Sequence, residues 1–279
     1  MPDAIATLEH KAAALRLRVL ETALAGGKGH VPPAFSWMEI GVALFHGGLL
    51  RQRPRDPTWA ERDRFILSKG HGCLTLYAIL ADLGYFPPAE LDRFVADGAL
   101  LAGHPDPAIP GVEVVSGSLG HGLGIGAGLA LGARADGADW AVVTLLGDGE
   151  CHEGSIWEAA AFAGHHRLGN LVAIVDRNRL CATDFTERVL ALEPLADRFA
   201  ALGWEVQSVD GHAIPALLAA LGDLRGRREG APRAILADTV KGKGVSFMEA
   251  SADWHHRMPR GDEVTRARAE IEARLRPTA

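Results

Sequence analysis

The sequence predicts an α/β fold, an open, mostly parallel sheet with helices on both faces. Three observations predict it. Two apolar runs, AVVTLLGDG at 141–149 and NLVAIVDRN at 170–178, are continuous rather than alternating, as strands buried on both faces of a parallel sheet are. The segment between them, SIWEAAAFAGHHRLG, has a helical pattern and completes one βαβ unit. The alternation then recurs as LADRFAALG helix, WEVQSVD strand, IPALLAALGDL helix and RAILADTV strand.

The first 110 or so residues are read as a helical region without a strand. Residues 4–25 are rich in Ala and Leu and form a helix closed by Gly26-Gly27, a C-cap signal. Ser36-Trp37-Met38-Glu39 has the spacing of a capping box for a helix through Phe45. Ser68-Lys69-Gly70-His71-Gly72 opens CLTLYAILADLGY, and Pro87-Pro88 opens ELDRFVADG. Between Gly117 and Gly132 seven glycines interrupt a Leu/Ala helix pattern, which allows another group to approach the backbone closely. The tail, DEVTRARAEIEARL, is a charged helix that either finishes the domain or lies on a partner.

Composition narrows the function. The chain has 279 residues, 48% apolar and 23% charged, with a net charge of −6. That is ordinary for a soluble globular protein and does not suit a binder of nucleic acid or another polyanion. Any phosphate must be held locally. Cys73, Cys151 and Cys181 are an odd set without metal-type spacing, so free thiols are expected. The N-terminal segment lacks the apolar core of a signal peptide, and no run of 18 apolar residues suggests a membrane span. A cytoplasmic protein is expected.

Gly147-Asp148-Gly149 falls at the carboxyl end of one expected strand, and Asn178 at the carboxyl end of the next. Ligands of open α/β sheets bind outside those ends. A carboxylate and an amide oxygen side by side are hard ligands for Mg²⁺ or Ca²⁺. With one backbone carbonyl just past Asn178, two diphosphate oxygens and a water, they would make six ligands. Taken alone, the same residues would also serve as a tight turn and a strand-end Asn.

The longer blocks are GHVPPAFSWMEIGVALF, RDRFILSKGHGCLTLYAILADLGYF, GHPD, VVSGSLGHGLGIGAGLALGAR, LLGDGECHEGSIWEAAAFAGHHRLGNLVAIVDRN, LGWEVQSVDGH, TVKGKGVSFME and WHH. In that order, from about residue 5 to 260, the sequence resembles the N-terminal, diphosphate-binding domain of the transketolase family. The resemblance implies the thiamine-diphosphate-binding fold of the PP type across 1–279, with thiamine diphosphate (ThDP) and Mg²⁺ as cofactors, Ca²⁺ or Mn²⁺ being possible substitutes for the metal. It also implies transfer of a two-carbon ketol unit from a ketose phosphate donor to an aldehyde acceptor. The metal maps onto Asp148, Asn178 and the carbonyl of Leu180, and the diphosphate onto Gly147, Gly149 and Glu150. His71 and His255 match histidines that contact the diphosphate and face the substrate channel. His30 and His104 match histidines at the reactive centre, and Gly117 and Leu119 lie against the aminopyrimidine. Glu153 and Glu158 match carboxylates at the domain interface that relay protons. His10, His46, His165, His166 and His256 have no assigned role, and His121 and His212 are open.

The sequence departs from the family at Val31-Pro32-Pro33, Cys181, Ala182, Phe185 and Ala213, all expected in loops near the site and bearing on sugar specificity. The family's activating glutamate lies in a second, pyrimidine-binding domain, and the sequence ends at Ala279 without room for another ~150 residues. A separate C-terminal subunit is therefore expected to supply it. Two copies of each chain would assemble about a two-fold axis, leaving an apolar interface wall on this one. The alternatives are the α-type subunit of a 2-oxo acid dehydrogenase, an assembly subunit that kept the fold and lost catalysis, and more distantly a metal-dependent phosphohydrolase.

Overall fold

A computed structural model describes residues 2–225 and 227–275. Its sheet has five strands: β1 (Arg64–Leu67), β2 (Val142–Gly147), β3 (Leu171–Arg177), β4 (Glu205–Asp210) and β5 (Arg233–Asp238). They run in the order β1-β2-β3-β5-β4, and every neighbouring pair is parallel. The helices are α1 (Pro2–Gly26), α2 (Val31–Phe35), α3 (Met38–Phe45), α4 (Cys73–Leu83), α5 (Gly122–Ala135), α6 (Gly154–His165), α7 (Thr186–Val189), α8 (Leu195–Ala201), α9 (Ile214–Leu221) and α10 (Asp262–Ala273).

The strands alternate between two cores. Phe65, Leu67, Val143, Leu145, Val172 and Ile174 pack with residues of α1, α3, α4 and α9. Ile66, Val142, Leu146, Ala173, Val175 and Leu236 pack with residues of α5, α6 and α8. Both faces of the central strands are thus covered, which is why β2 and β3 read as unbroken apolar runs. On α5, a Cβ at Gly126 would stand 2.5 Å from Thr144 Oγ1, so this glycine sets how closely α5 lies on β2. α10 buries Ala267 and Ile271 in the first core and pairs Arg268 with Glu21 of α1 at 2.6 Å. The charged tail therefore packs on this chain's own fold.

Three expectations are corrected. The first hundred residues do contain a strand, β1. At four residues it is too short to show either period, and it runs straight into the glycine turn at 70–72. The capping box is not used. α2 and α3 are separate helices, α2 carries Pro32 and Pro33 in its first turn, and the N-terminus of α3 has no side-chain cap. Proline costs nothing there because those N–H groups would be unpaired. Ser36 and Glu39 are buried and serve deeper partners. Ser36 Oγ donates to Asp176 Oδ2 at 2.5 Å, and Glu39 accepts from Arg16 and His212 at 2.7 and 2.9 Å. Finally, ELDRFVADG forms only a 3₁₀ turn over Pro88–Arg93. Leu91 and Phe94 turn inward to the core beside α1, and Val95 takes a positive φ of 56°. Tertiary burial here overrides helix propensity.

Among the described residues no helix is long and apolar enough to cross a membrane. The three cysteines are free.

Candidate active site

The register pairs Gly147 with Asp176, so the chain leaves β2 and β3 at the same edge of the sheet. Asp148 is the first residue past β2 and Asn178 the first past β3. Asp148 binds both turns: Oδ1 accepts the Gly149 N–H at 2.7 Å, and Oδ2 accepts the N–H of Arg179. Asn178 Oδ1 accepts the Leu180 N–H at 3.1 Å, and Arg179 between them adopts φ 64°. A tight hairpin follows. Leu180 bridges Phe185, and the Cys181 N–H donates to the Asp184 carbonyl at 2.9 Å. This hairpin holds Leu180 at the wall of the same cavity as Asp148.

These turns floor a cavity of about 290 Å³. Gly147, Asp148, Gly149 and Glu150 line it from β2, and Asn178, Leu180, Cys181 and Ala182 from β3. Gly117 and Leu119 form another wall, and His30, His71 and His255 look in from three separate segments. His104 and Glu153 do not line it. His104 stands just behind, 6.2 Å from His30 between ring centroids, while Glu153 is exposed at the start of α6 and Glu158 is exposed further along that helix. Of the departures, Pro33, Cys181 and Ala182 line the cavity. Val31, Pro32 and Pro33 sit in α2 and not in a loop, which corrects the expectation for them, while Phe185 and Ala213 lie in loops before α7 and α9 but do not line the cavity. Ala213 follows His212, whose Nδ1–H donates to Glu39 at 2.9 Å and whose Nε2 accepts the Val240 N–H at 2.8 Å. That pairing makes His212 part of a structural network. His121 is exposed and bonds the Leu119 carbonyl at 3.0 Å.

Four residues at this site escaped sequence reasoning. Lys69 and Asp176 form an ion pair beneath the floor, both fully buried. Lys69 Nζ also donates to the Pro33 carbonyl at 2.9 Å, and Asp176 accepts from the Ser36 and Thr239 hydroxyls. Lys241 Nζ donates to the carbonyls of Leu180 and Cys181 at 3.2 and 2.8 Å. Burial, then Lys69, lowers its pKa to about 8. His256 packs against His30 with ring centroids 4.5 Å apart. The available signals were a charge inside the apolar run of β3 and lysines inside two glycine turns, all of which ordinarily read as solvated. Glu150 has a different part from the one expected of it. Its buried carboxylate accepts from Ser68 Oγ, from Gly120 N–H at 2.9 Å and from Gly147 N–H at 3.0 Å. It clamps three segments of the wall together, and burial pushes its pKa up.

The site fits a diphosphate cofactor with a divalent cation. Burial, then the neighbouring Asp176, pushes Asp148 up to about 7, a cost that a cation at its oxygens would offset. The residues that line it there offer a carboxylate, an amide oxygen and a carbonyl, all hard oxygens. No cluster of three His, Cys, Asp or Glu side chains offers another metal site among the described residues. His255 Nδ1 is buried without a hydrogen-bond partner, and a bound ligand would satisfy it.

Burial favours the neutral form of His30, His71 and His255. His30 is lowered to about 4 by burial, then by His256 and His104, and His255 to about 3 by burial, then by Lys241 and His30. His71 is lowered well below the usual range by burial, then by Lys69. An unfolded chain holds more protons than the folded one between pH 6.5 and about 4 at His30, so stability falls as pH drops through that window. NMR titration of His30 is expected to show a midpoint below pH 5. A midpoint near 6.5 would mean that the ring is solvated.

A cavity at the carboxyl edge of a parallel sheet, with glycine turns and a carboxylate–amide pair, places the molecule among α/β proteins that bind ligands outside the carboxyl ends of their strands. Residues 8–274 match the model of the transketolase thiamine diphosphate binding domain, and the chain belongs to that family. It is 38% identical over 271 residues to one subunit of the apulose-4-phosphate transketolase of Phocaeicola vulgatus, covering 97% of this chain and 96% of that one. It is 41% identical over 267 residues to the 6-deoxy-6-sulfo-D-fructose transketolase subunit SqwG of a Clostridium species, covering 95% and 96%. Transketolase from Campylobacter jejuni superposes with a TM-score of 0.88 at 29% identity, over 95% of this chain and 42% of that one. The chain thus spans about two-fifths of the solved transketolases it matches.

Proposed function

We propose that this chain is the N-terminal subunit of a two-chain transketolase, which transfers a two-carbon ketol unit from a ketose phosphate donor to an aldehyde acceptor. The observation that carries the reading is the meeting of Asp148, Asn178 and three neutral histidines around one cavity. Similarity over 96% of the length of a protein that is itself named as a single subunit of a transketolase supports it.

Asp148, Asn178 and the Leu180 carbonyl would hold Mg²⁺ against the diphosphate, and His71, His255 and Lys241 would supply N–H donors to it. When bound, ThDP supplies the electron sink that breaking a carbon–carbon bond next to a carbonyl requires. The chain supplies orientation and proton traffic. A neutral imidazole can accept the proton of a sugar hydroxyl, a part that His30 at the cavity and His104 near it would take. Glu153 just before α6 and Glu158 on it, both exposed, would face the partner and pass protons across the interface. We read the whole chain as one diphosphate-binding domain, its helical N-terminal part contributing His30, His71 and His104.

The partner is inferred from what this chain leaves open. Ile125 on α5 and Phe162 on α6, two helices packed on each other, are exposed, and we read them as part of an interaction surface. On α5, a Cβ at Gly128 or Gly132 would meet nothing within 4 Å, so a neighbouring helix can come close. A C-terminal subunit supplying the activating glutamate, in an assembly of two copies of each, would cover this face. The test is ketol transfer from xylulose 5-phosphate to ribose 5-phosphate with ThDP and Mg²⁺. Activity is expected when the chain is mixed with its C-terminal partner and is expected to be absent from either chain alone. Full activity of this chain by itself would refute the two-chain reading.

A further inference from the structure

A second cavity, of about 540 Å³, shares no lining residue with the cofactor cavity. One wall is α1, which contributes Glu9, His10 and Arg16; Glu39 of α3 and His212 stand across from it. Arg16 is the inner end of the site and is only 3% exposed. Its Nη2 donates to both Glu39 carboxylate oxygens, at 2.7 and 2.9 Å, and to the Phe35 carbonyl at 3.3 Å. All of these bonds run from one nitrogen. Nε is buried without a hydrogen-bond partner, so the guanidinium keeps donor capacity that the described residues do not use, and an orphaned buried donor is costly. Glu39 does not offset this further. Burial alone would raise its pKa, but Arg16 and His212 hold it down to about 2, and its charge is taken up by those two partners.

We propose that this cavity is a second ligand site, which takes a small molecule by its phosphate or carboxylate group on Arg16, Lys243 and Arg274. The turn after β5 lies against the Arg16 side chain. A Cβ at Gly244, where φ is 100°, would stand 2.8 Å from Arg16 Cδ, so only glycine lets the turn pack there. Lys243, next to it, reaches the cavity, as does Arg274 just past α10. Neither has an ion-pair partner among the described residues, which leaves both charges for a ligand. A guanidinium and an ammonium on one cavity give an oxyanion charge-assisted hydrogen bonds. Glu9 is the opposing charge, a lining carboxylate without an ion-pair partner among the described residues. The volume falls in the range of small-molecule sites and exceeds what a bare phosphate fills. Because the two cavities have separate walls, the site stands whether or not the chain transfers ketol units.

The test is an NMR titration of the full chain with inorganic phosphate and, separately, with succinate, at constant ionic strength. The reporter is the His10 ring, which lines this cavity and not the other; its signal is identified by its loss in His10→Gln. A saturable shift is expected. Lys243→Ser/Arg274→Ser is expected to raise Kd about tenfold, the loss of charged hydrogen bonds, and Glu9→Gln to lower it about threefold by removing the opposing charge. Thermal melts confirm that the variants fold, since Lys243, Arg274 and Glu9 all reach solvent. A response to phosphate alone assigns the site to phosphate esters, to succinate alone to carboxylates, and to both to oxyanions in general. No saturable shift with either anion, or an unchanged Kd in the folded double variant, overturns the proposal. Asp148→Ala is expected to leave the His10 titration as it is. Its loss there would mean that the shift is relayed from the cofactor cavity, and would overturn the proposal as well.

Discussion

Asp148→Ala is expected to weaken Mg²⁺-dependent ThDP binding by the assembled enzyme roughly 100-fold or more, beyond the 10–100-fold typical of residues that only support a metal ligand. The carboxylate does two things at once. It is the one charged oxygen among the three donors at the strand edge, and its two oxygens hold the N–H groups of Gly149 and Arg179. Alanine removes the charge and frees the hairpin that carries the Leu180 carbonyl. Asp148→Asn separates the two effects, because the amide oxygen can still accept one of those N–H groups while the charge is gone. Calorimetric ThDP titration with and without Mg²⁺ reads the result. If both variants bound ThDP with unchanged Mg²⁺ dependence, the metal would lie elsewhere. The same experiment reaches the pKa. Asp148, raised to about 7 by burial and Asp176, should release a proton when the cation binds. Mg²⁺ uptake should therefore weaken as pH falls below 7 in the wild type, and this dependence should flatten in Asp148→Asn.

What was legible in the sequence follows from where each residue sits. The runs of β2 and β3 are buried on both faces, so they stand out as apolar stretches. Gly147-Asp148-Gly149 and Asn178 come at their ends, where an open parallel sheet leaves room for a ligand. His30, His71 and His255 lie in blocks that could be read together, although their meeting depends on three loops. The floor beneath was not legible. Lys69 lies between a four-residue edge strand and the glycine turn that follows, and only the fold brings Pro33, Ser36 and Asp176 around its ammonium. A lysine in a glycine turn normally reads as a solvated charge. Glu150 was legible as a site residue, but its hydrogen bonds to Ser68, Gly120 and Gly147 come from segments distant in sequence. His256 follows His255 directly, and nothing in the sequence separates a ring that packs on His30 from one that faces solvent.

Lys69→Met is expected to destabilise the chain by about 3–5 kcal/mol, the cost of breaking a buried pair and leaving one charge behind. Asp176 is fully buried, and its pKa is lowered despite burial chiefly because Lys69 stands against it, with the Ser36 and Thr239 hydroxyls adding to the effect. Those hydroxyls remain in the variant and pull the loss toward the lower end. For a chain of this size roughly 3 kcal/mol lowers Tm by about 6–12 °C. The pH dependence distinguishes a lost charge partner from lost packing. A carboxyl held below its unfolded value of 3.8 contributes stability that is present above that pH and lost as pH falls through the folded value. In Lys69→Met the buried carboxylate has no cation, its pKa rises, and protonation relieves the strain. The gap in Tm between wild type and variant should therefore narrow as pH is lowered from 8 toward 5. Lys69→Met/Asp176→Leu should recover much of the stability at neutral pH, since an apolar pair of similar volume replaces the buried ions. A constant gap across that range, with no recovery in the double variant, would mean that Lys69 stabilises through its stem and its bond to Pro33, and that the floor of the cofactor cavity does not depend on its charge.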